Sequence, residues 1–119
     1  MKSEYVRSKL VVEAEGPVDA KIILVGEAPA KTEIYEGRPF VGAAGTNLDR
    51  YLSLAGLSRE DLYITNVSKV RAPSDKMDKM PYEELKMWEE DLIQEINDLP
   101  CPKVLVPMGN YALRALTGS

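Results

Sequence analysis

Four side chains in the first two-thirds of the chain have the types and spacing to do chemistry on a flat, polar ring. Glu27 follows directly on the apolar run Ile22-Ile23-Leu24-Val25 and sits in a Gly-acid-small-Pro turn, Gly26-Glu27-Ala28-Pro29, which holds a carboxylate in one place. Glu33 lies six residues on. Phe40, the only phenylalanine, is flanked by Pro39 and Val41 and offers a platform on which a base or ring can stack. Stacking of that kind contributes about 1–3 kcal/mol per base. Asn66 closes a second apolar run, Leu62–Val67, and its amide donates and accepts together, as the edge of a pyrimidine requires. Thr46, after Gly42-Ala43-Ala44-Gly45, is a fair helix N-cap, and a helix start can hold a phosphate. Lys69 and Arg71 are cations that could touch a phosphate backbone. Each has a plainer reading too. Glu27 can bond loop amides, Glu33 can be solvated, Phe40 can plug the loop onto the core, Asn66 can form a turn, and Lys69 and Arg71 can serve solubility. Nothing matches GxGxxG or a P-loop.

The elements that must position these residues alternate. Lys21–Val25 reads as a buried parallel strand. A polar loop of about twenty residues follows, too long for a plain connector. Thr46–Ala55 has Leu48, Tyr51, Leu52 and Ala55 on one helical face, with Gly56 beyond it. Ser58–Asp61 is a short capped turn, and Leu62–Val67 a second strand. Ser68–Met80 is a loop. Pro81 opens a helix with the apolar stripe Leu85, Trp88, Leu92, Ile96 and Leu99, which Pro100 and Pro102 end. Lys103–Met108 is a third strand and Asn110–Leu116 a last helix. Leu10-Val11-Val12 is a candidate short edge strand. The order implies an α/β fold, a three-layer doubly wound parallel sheet. Val104-Leu105-Val106 is apolar enough to be central, so the sheet wants a neighbour beyond it: a further strand or a partner.

The totals narrow the choices. At 119 residues the chain is one domain, 1–119, or part of one. Apolar residues make up 45%, enough for a modest core. The single cysteine, Cys101, excludes an internal disulfide and a cysteine-only metal cage. Histidine is absent, which removes imidazole catalysis and zinc held by histidine. No leader-like stretch is visible and no apolar run reaches about 18 residues, so the chain reads as soluble and cytoplasmic, with no membrane partner. A net charge of −4 argues against a general nucleic-acid binder. That charge is uneven: Pro81–Asp98 carries seven acids against Lys86 alone, leaving the remainder mildly basic. The acidic run itself reads first as a solvated helix face.

Several motifs in colinear order resemble the uracil-DNA glycosylase superfamily, and within it the thermostable iron–sulfur branch (family 4). They are GEAPA at 26–30 followed by Glu33, GRPFVGAAG at 37–45, AGLSREDLYITNVSKVRAP at 55–73 and PKVLVPMGNYALRALTG at 102–118. The resemblance implies a protein that flips uracil out of DNA and hydrolyses its N-glycosidic bond, leaving an abasic site. On that resemblance Phe40 stacks on the uracil and Asn66 reads its polar edge. Glu27 and Glu33 match catalytic-loop acids that position water and support a cationic sugar. Ala28 and Pro29 belong with the substrate-binding residues, and Lys69, Arg71 and Thr46 with the DNA contacts.

The departures from the family are as specific. Its N-terminal CxxC has no counterpart, Val70 and Met87 stand where two further cluster cysteines would, and Cys101 fits none of the four positions. No cluster and no other cofactor is therefore expected. Ala30 replaces the family's usual glycine. The family's fourth core strand and the histidine loop that stabilises the leaving uracil have no match. Loss of one such donor costs on the order of 10²–10³ in rate. Two classes remain: a compact or incomplete glycosylase, weak alone or completed by another polypeptide, and a non-catalytic DNA- or protein-binding module that keeps the base pocket. An unrelated phosphate binder is a remote third. In either main class, a second chain or self-association is expected on the open sheet edge.

Overall fold

In a computed structural model, the protein is described over residues 10–100 and 104–118. Three parallel strands form the sheet: β1 (Ile22–Gly26), β2 (Leu62–Asn66) and β3 (Val104–Pro107), in the order β2-β1-β3. The register sets Gly26 opposite Asn66, and Val25 opposite Pro107. Four helices accompany them: α1 (Lys31–Glu36), α2 (Ala43–Leu54), α3 (Tyr82–Asn97) and α4 (Asn110–Thr117).

The pleat of β1 sorts the core into two layers. Ile23 and Val25 face one way and pack with Val67 and Val70, with Trp88, Leu92 and Ile96 of α3, and with Ala112 of α4. Leu24 faces the other way, onto Leu48 of α2 and onto Leu62 and Ile64 of β2. Alternate residues of a strand point to opposite faces, so a strand buried on both sides must read as a continuous apolar run, as β1 does. The apolar stripe expected on α3 holds: Trp88, Leu92 and Ile96 are buried, with Leu85 and Leu99 half-buried beside them. The chain reverses direction across the sheet at β1, because β2 and β3 lie on its two sides. Such a reversal opens a crevice beyond the carboxyl ends of the strands.

Four expectations need correction. The long loop after β1 contains a helix, α1. Its residues KTEIYE show no apolar stripe, and the signal that makes it helical is Glu33, whose side chain accepts the Ala30 N–H three residues back. Helix α2 begins at Ala43 with Gly42 as N-cap, so Thr46 is not the cap; it lies one turn in, donating its hydroxyl to the Gly42 carbonyl at 3.4 Å. Residues 10–12 form no strand, although the segment does lie along β2. Val12 N–H donates to the Lys69 carbonyl, and Glu15 exchanges both backbone hydrogen bonds with Ile64. Finally, β3 is not central. Among the described residues nothing pairs with its far side, and Val104 is 61% exposed, while β1 holds the middle.

Because Leu92 is fully buried between α3 and the sheet, Leu92→Ala should lose about 2–5 kcal/mol of stability. Urea unfolding followed by the fluorescence of Trp88, the only tryptophan, reads this directly.

Candidate active site

A cavity of about 610 Å³ opens at the carboxyl ends of all three strands. Gly26 and Glu27 line it from β1, Asn66 from β2, and Pro107, Met108 and Gly109 from β3. Ala28, Ala30, Glu33, Phe40 and Ala44 complete the wall from the loop and the start of α2. Glu27, Glu33, Phe40, Asn66 and Ala28, nominated from sequence, are therefore brought together on one hollow.

The hollow exists because Gly26 has no side chain. A Cβ there would lie 2.4 Å from the Asn66 side-chain oxygen and 2.5 Å from Cζ of Phe40. The phenyl ring and the amide thus converge over the end of β1 from two sides. Asn66 is buried, and its backbone carbonyl is held by the Lys69 ammonium at 2.7 Å.

Glu33 is the tie of the loop. Its carboxylate accepts the N–H groups of Ala30 (3.0 Å), Val41 (3.1 Å) and Gly42 (2.8 Å), so one side chain binds both ends of the segment that carries Phe40. Burial alone would push this carboxyl up, but the backbone donors from Gly42, Ala30 and Val41 outweigh it and hold it below the usual carboxylate range. Glu27 is set differently. Its Oε2 accepts the Tyr111 N–H at the start of α4 at 3.2 Å, while its backbone carbonyl takes the Ser68 N–H.

Four nominated residues stand elsewhere. Pro29 is fully buried and does not line the cavity; with Ala72 and Met77 it borders a separate small hollow. Lys69 is a correction to the set of DNA contacts. It is buried, with its ammonium 2.8 Å from Glu95, whose carboxylate also accepts the Tyr63 and Thr65 hydroxyls. Burial, the hydrogen bond to Glu95 and that carboxylate's charge all push the Tyr63 phenol up, so it remains a donor at neutral pH. Arg71 is exposed and paired bidentately with Asp75. Thr46 is exposed beyond Phe40, in a separate cleft with Arg38, Asp49 and Arg59.

Sequence reasoning missed Met108 and Gly109, the third wall of the cavity. A strand followed by glycine and a helix start was the available signal. It also missed Glu15 and Arg59, which act from behind the loop.

Val70 and Met87, the two positions where the resemblance would place cluster cysteines, carry apolar side chains. Val70 is fully buried in the core and Met87 packs against the same cluster, while Cys101 lies outside the described residues. Iron–sulfur clusters take four ligands, typically thiolates, and this chain has one. Among the described residues no group of three or more histidine, cysteine, aspartate or glutamate side chains is arranged to hold a metal ion. The residues present do not fit an iron–sulfur cluster.

A depressed carboxyl adds stability that is fully present above its unfolded value and is lost as pH falls through the lower folded value. Glu33→Gln should therefore cost about 1–3 kcal/mol at neutral pH, because an amide has one acceptor oxygen for three donors. The difference between wild type and variant should begin to shrink as pH falls below the ordinary carboxylate range and go on shrinking until the folded carboxyl, held lower, takes up its proton. Unfolding free energies measured at pH 7 and pH 3 test both statements.

Residues 13–119 match the model of the uracil DNA glycosylase superfamily. The chain is 43% identical to the type-4 uracil-DNA glycosylase of Archaeoglobus fulgidus over 97 residues, covering 82% of this chain and 47% of that protein. With the type-4 enzyme of Pyrobaculum aerophilum it shares 40% identity over 108 residues, 91% of this chain and 54% of the relative. With that of Thermotoga maritima it shares 41% over 103 residues, 87% and 52%. The chain spans about half the length of these relatives. On the match to residues 13–119, this chain is a member of the uracil DNA glycosylase superfamily.

Proposed function

We propose that the chain carries the base-binding and water-positioning part of a uracil-DNA glycosylase acting in base excision repair, in residues 1–119 as a single domain. The observation that carries this reading is the convergence of the Phe40 ring and the Asn66 amide over side-chain-free Gly26, with two carboxylates on the same hollow.

A uracil flipped into the hollow stacks on Phe40 and pairs its polar edge with Asn66, while Ala28 packs against the ring. Flipping costs a few kcal/mol, least for mispaired or unpaired bases. Glu27, on the rim beside Met108 and Gly109, lines up a water. As the C1′–N1 bond breaks, its electron pair leaves with uracil as the anion, and the sugar becomes cationic. Water oxygen then bonds to C1′, and its proton passes to Glu27 and on to solvent. Both carboxylates favour the cationic sugar. Glu33 works through position: its oxygens are engaged by three loop N–H groups, so it fixes the platform rather than moving protons.

The DNA backbone passes outside the cavity, over Thr46 and Arg71, where Arg71 must exchange Asp75 for a phosphate. The chain contains no histidine, so the leaving anion relies on amide donors and turnover is slow. The far side of β3, unpaired among the described residues and with Val104 and Leu105 exposed, favours a further strand supplied by another polypeptide or a second copy. In that second reading this chain is one piece of a larger enzyme, or a binding module. No described helix is long and apolar enough to cross a membrane.

Single-turnover assays with excess protein and a labelled oligonucleotide containing one uracil test the reading. Uracil-dependent alkali-labile breaks should appear, and Asn66→Ala should slow them roughly 10²-fold. Absence of breaks with the protein folded would leave one piece of a larger enzyme, or a base-binding module, as the surviving alternatives.

A further inference from the structure

The base platform is held from behind. Phe40 has φ +53°, in the left-handed region that side-chain-bearing residues rarely occupy. Such a conformation persists only where the surroundings over-determine it. The surroundings here are specific. The guanidinium of Arg59 forks onto two successive carbonyls, Nη1 donating to Phe40 and Nη2 to Pro39. Its Nε donates to Glu15 at 2.9 Å, and the Arg59 side chain is only 13% exposed. Glu15 in turn accepts two N–H groups of Arg38, at 2.8 and 3.0 Å, and its own backbone is bonded twice to Ile64 in β2. From the opposite side α2 presses on the same carbonyl: a Cβ on Gly45 would lie 1.9 Å from the Phe40 oxygen.

We propose that Arg59 is a positioning residue for base recognition. Anchored to the sheet through Glu15, its fork fixes the 39–40 backbone and thereby presents the Phe40 ring to the cavity. This deepens the function proposed above, and its substrate arm rests on that reading. The choice of arginine is physical: a planar guanidinium reaches two adjacent carbonyls and a carboxylate at once, whereas a lysine ammonium is a single point. Arg59 touches no substrate in this account, so its effect must pass through Phe40.

Because Phe40 is the only phenylalanine, 4-fluorophenylalanine gives one fluorine resonance that reports on this ring without any assay of function. In the full chain we expect a single resonance displaced from the unfolded position. Arg59→Gln and Arg59→Lys should both move it toward that position or split it while circular dichroism shows an intact fold, and Arg50→Gln on the exposed face of α2 should leave it unchanged. In parallel, the ratio of affinities for oligonucleotides with one uracil and one abasic site, read by fluorescence anisotropy, should fall about tenfold in Arg59→Gln. It should fall no further when Arg59→Gln is combined with Phe40→Ala.

An unchanged resonance in folded Arg59→Gln would overturn the proposal, as would full rescue by lysine. So would an additive loss in the double variant. If Arg59→Gln does not fold, Glu15→Gln is judged by the same resonance, and no displacement there overturns it equally. If wild type shows no preference for uracil, the proposed function fails, and the fluorine resonance alone decides the role of Arg59.

Discussion

The site depends on one buried carboxylate that closes a loop. Between the end of β1 and the start of α2 the chain must leave the sheet, carry an aromatic ring back over it, and return. Glu33 makes that path single-valued by accepting the N–H groups of Ala30, Val41 and Gly42. These would otherwise be orphan donors at the starts of α1 and α2, where no capping side chain serves them. A neutral acceptor would satisfy such groups singly. An ionised carboxylate takes three because its lone pairs are enough and its charge suits the positive ends of two helices. The interaction that makes the helices start is therefore also the one that places the ring.

This explains why the fold was more legible in sequence than the site. Strands β1 and β2 and helix α3 advertise themselves through apolar runs and a 3.6-residue stripe, because their burial is made by their own side chains. Glu27, Phe40 and Asn66 were legible as chemistry-bearing types at strand ends and in a long loop. Helix α1 and the true start of α2 were not. At α1 the support is Glu33 on the Ala30 N–H three residues back, where the alanine lacks the hydroxyl that marks a capping box in sequence. At α2 it is the same carboxylate, whose partners there lie eight and nine residues away, which no local pattern encodes. Arg59 was hidden for the same reason. Its partners Phe40 and Glu15 are 19 and 44 residues distant, so in sequence it is one more charged residue of a turn.

Lys69 shows how charge in a sequence misleads about a surface. It stands in a loop with other cations, and a phosphate contact is the natural expectation. Yet the residues from Ile64 to Val70 are all buried, so the ammonium must be met inside the protein. Glu95, one of the acids of α3, meets it and collects two hydroxyls from β2 as well. Part of the acidic run is thus structural, and the net charge of the helix overstates what solvent sees. The ammonium also grips the Asn66 carbonyl, so the same ion pair steadies the residue proposed above to read the base.

Two supports therefore converge on one recognition pair. Asn66 is steadied from below by Lys69 and Glu95, and Phe40 from behind by Arg59 and Glu15. Both anchors end in the β2 side of the sheet, through Thr65 and Ile64. The cavity's third wall, Met108 and Gly109 after β3, is held through main-chain hydrogen bonds, Met108 N–H to the Val25 carbonyl and Leu113 N–H to the Gly109 carbonyl, and borders the edge left bare among the described residues. On the function proposed above, the Phe40 and Asn66 side of the cavity reads the base, and the Met108–Gly109 side lies along the edge where a further segment would join. A partner segment added along β3 would stiffen the Met108–Gly109 side without disturbing Phe40 or Asn66. On this arrangement, selection of the base and completion of the catalytic site are physically separable, and a chain of this length can hold the first without holding all of the second.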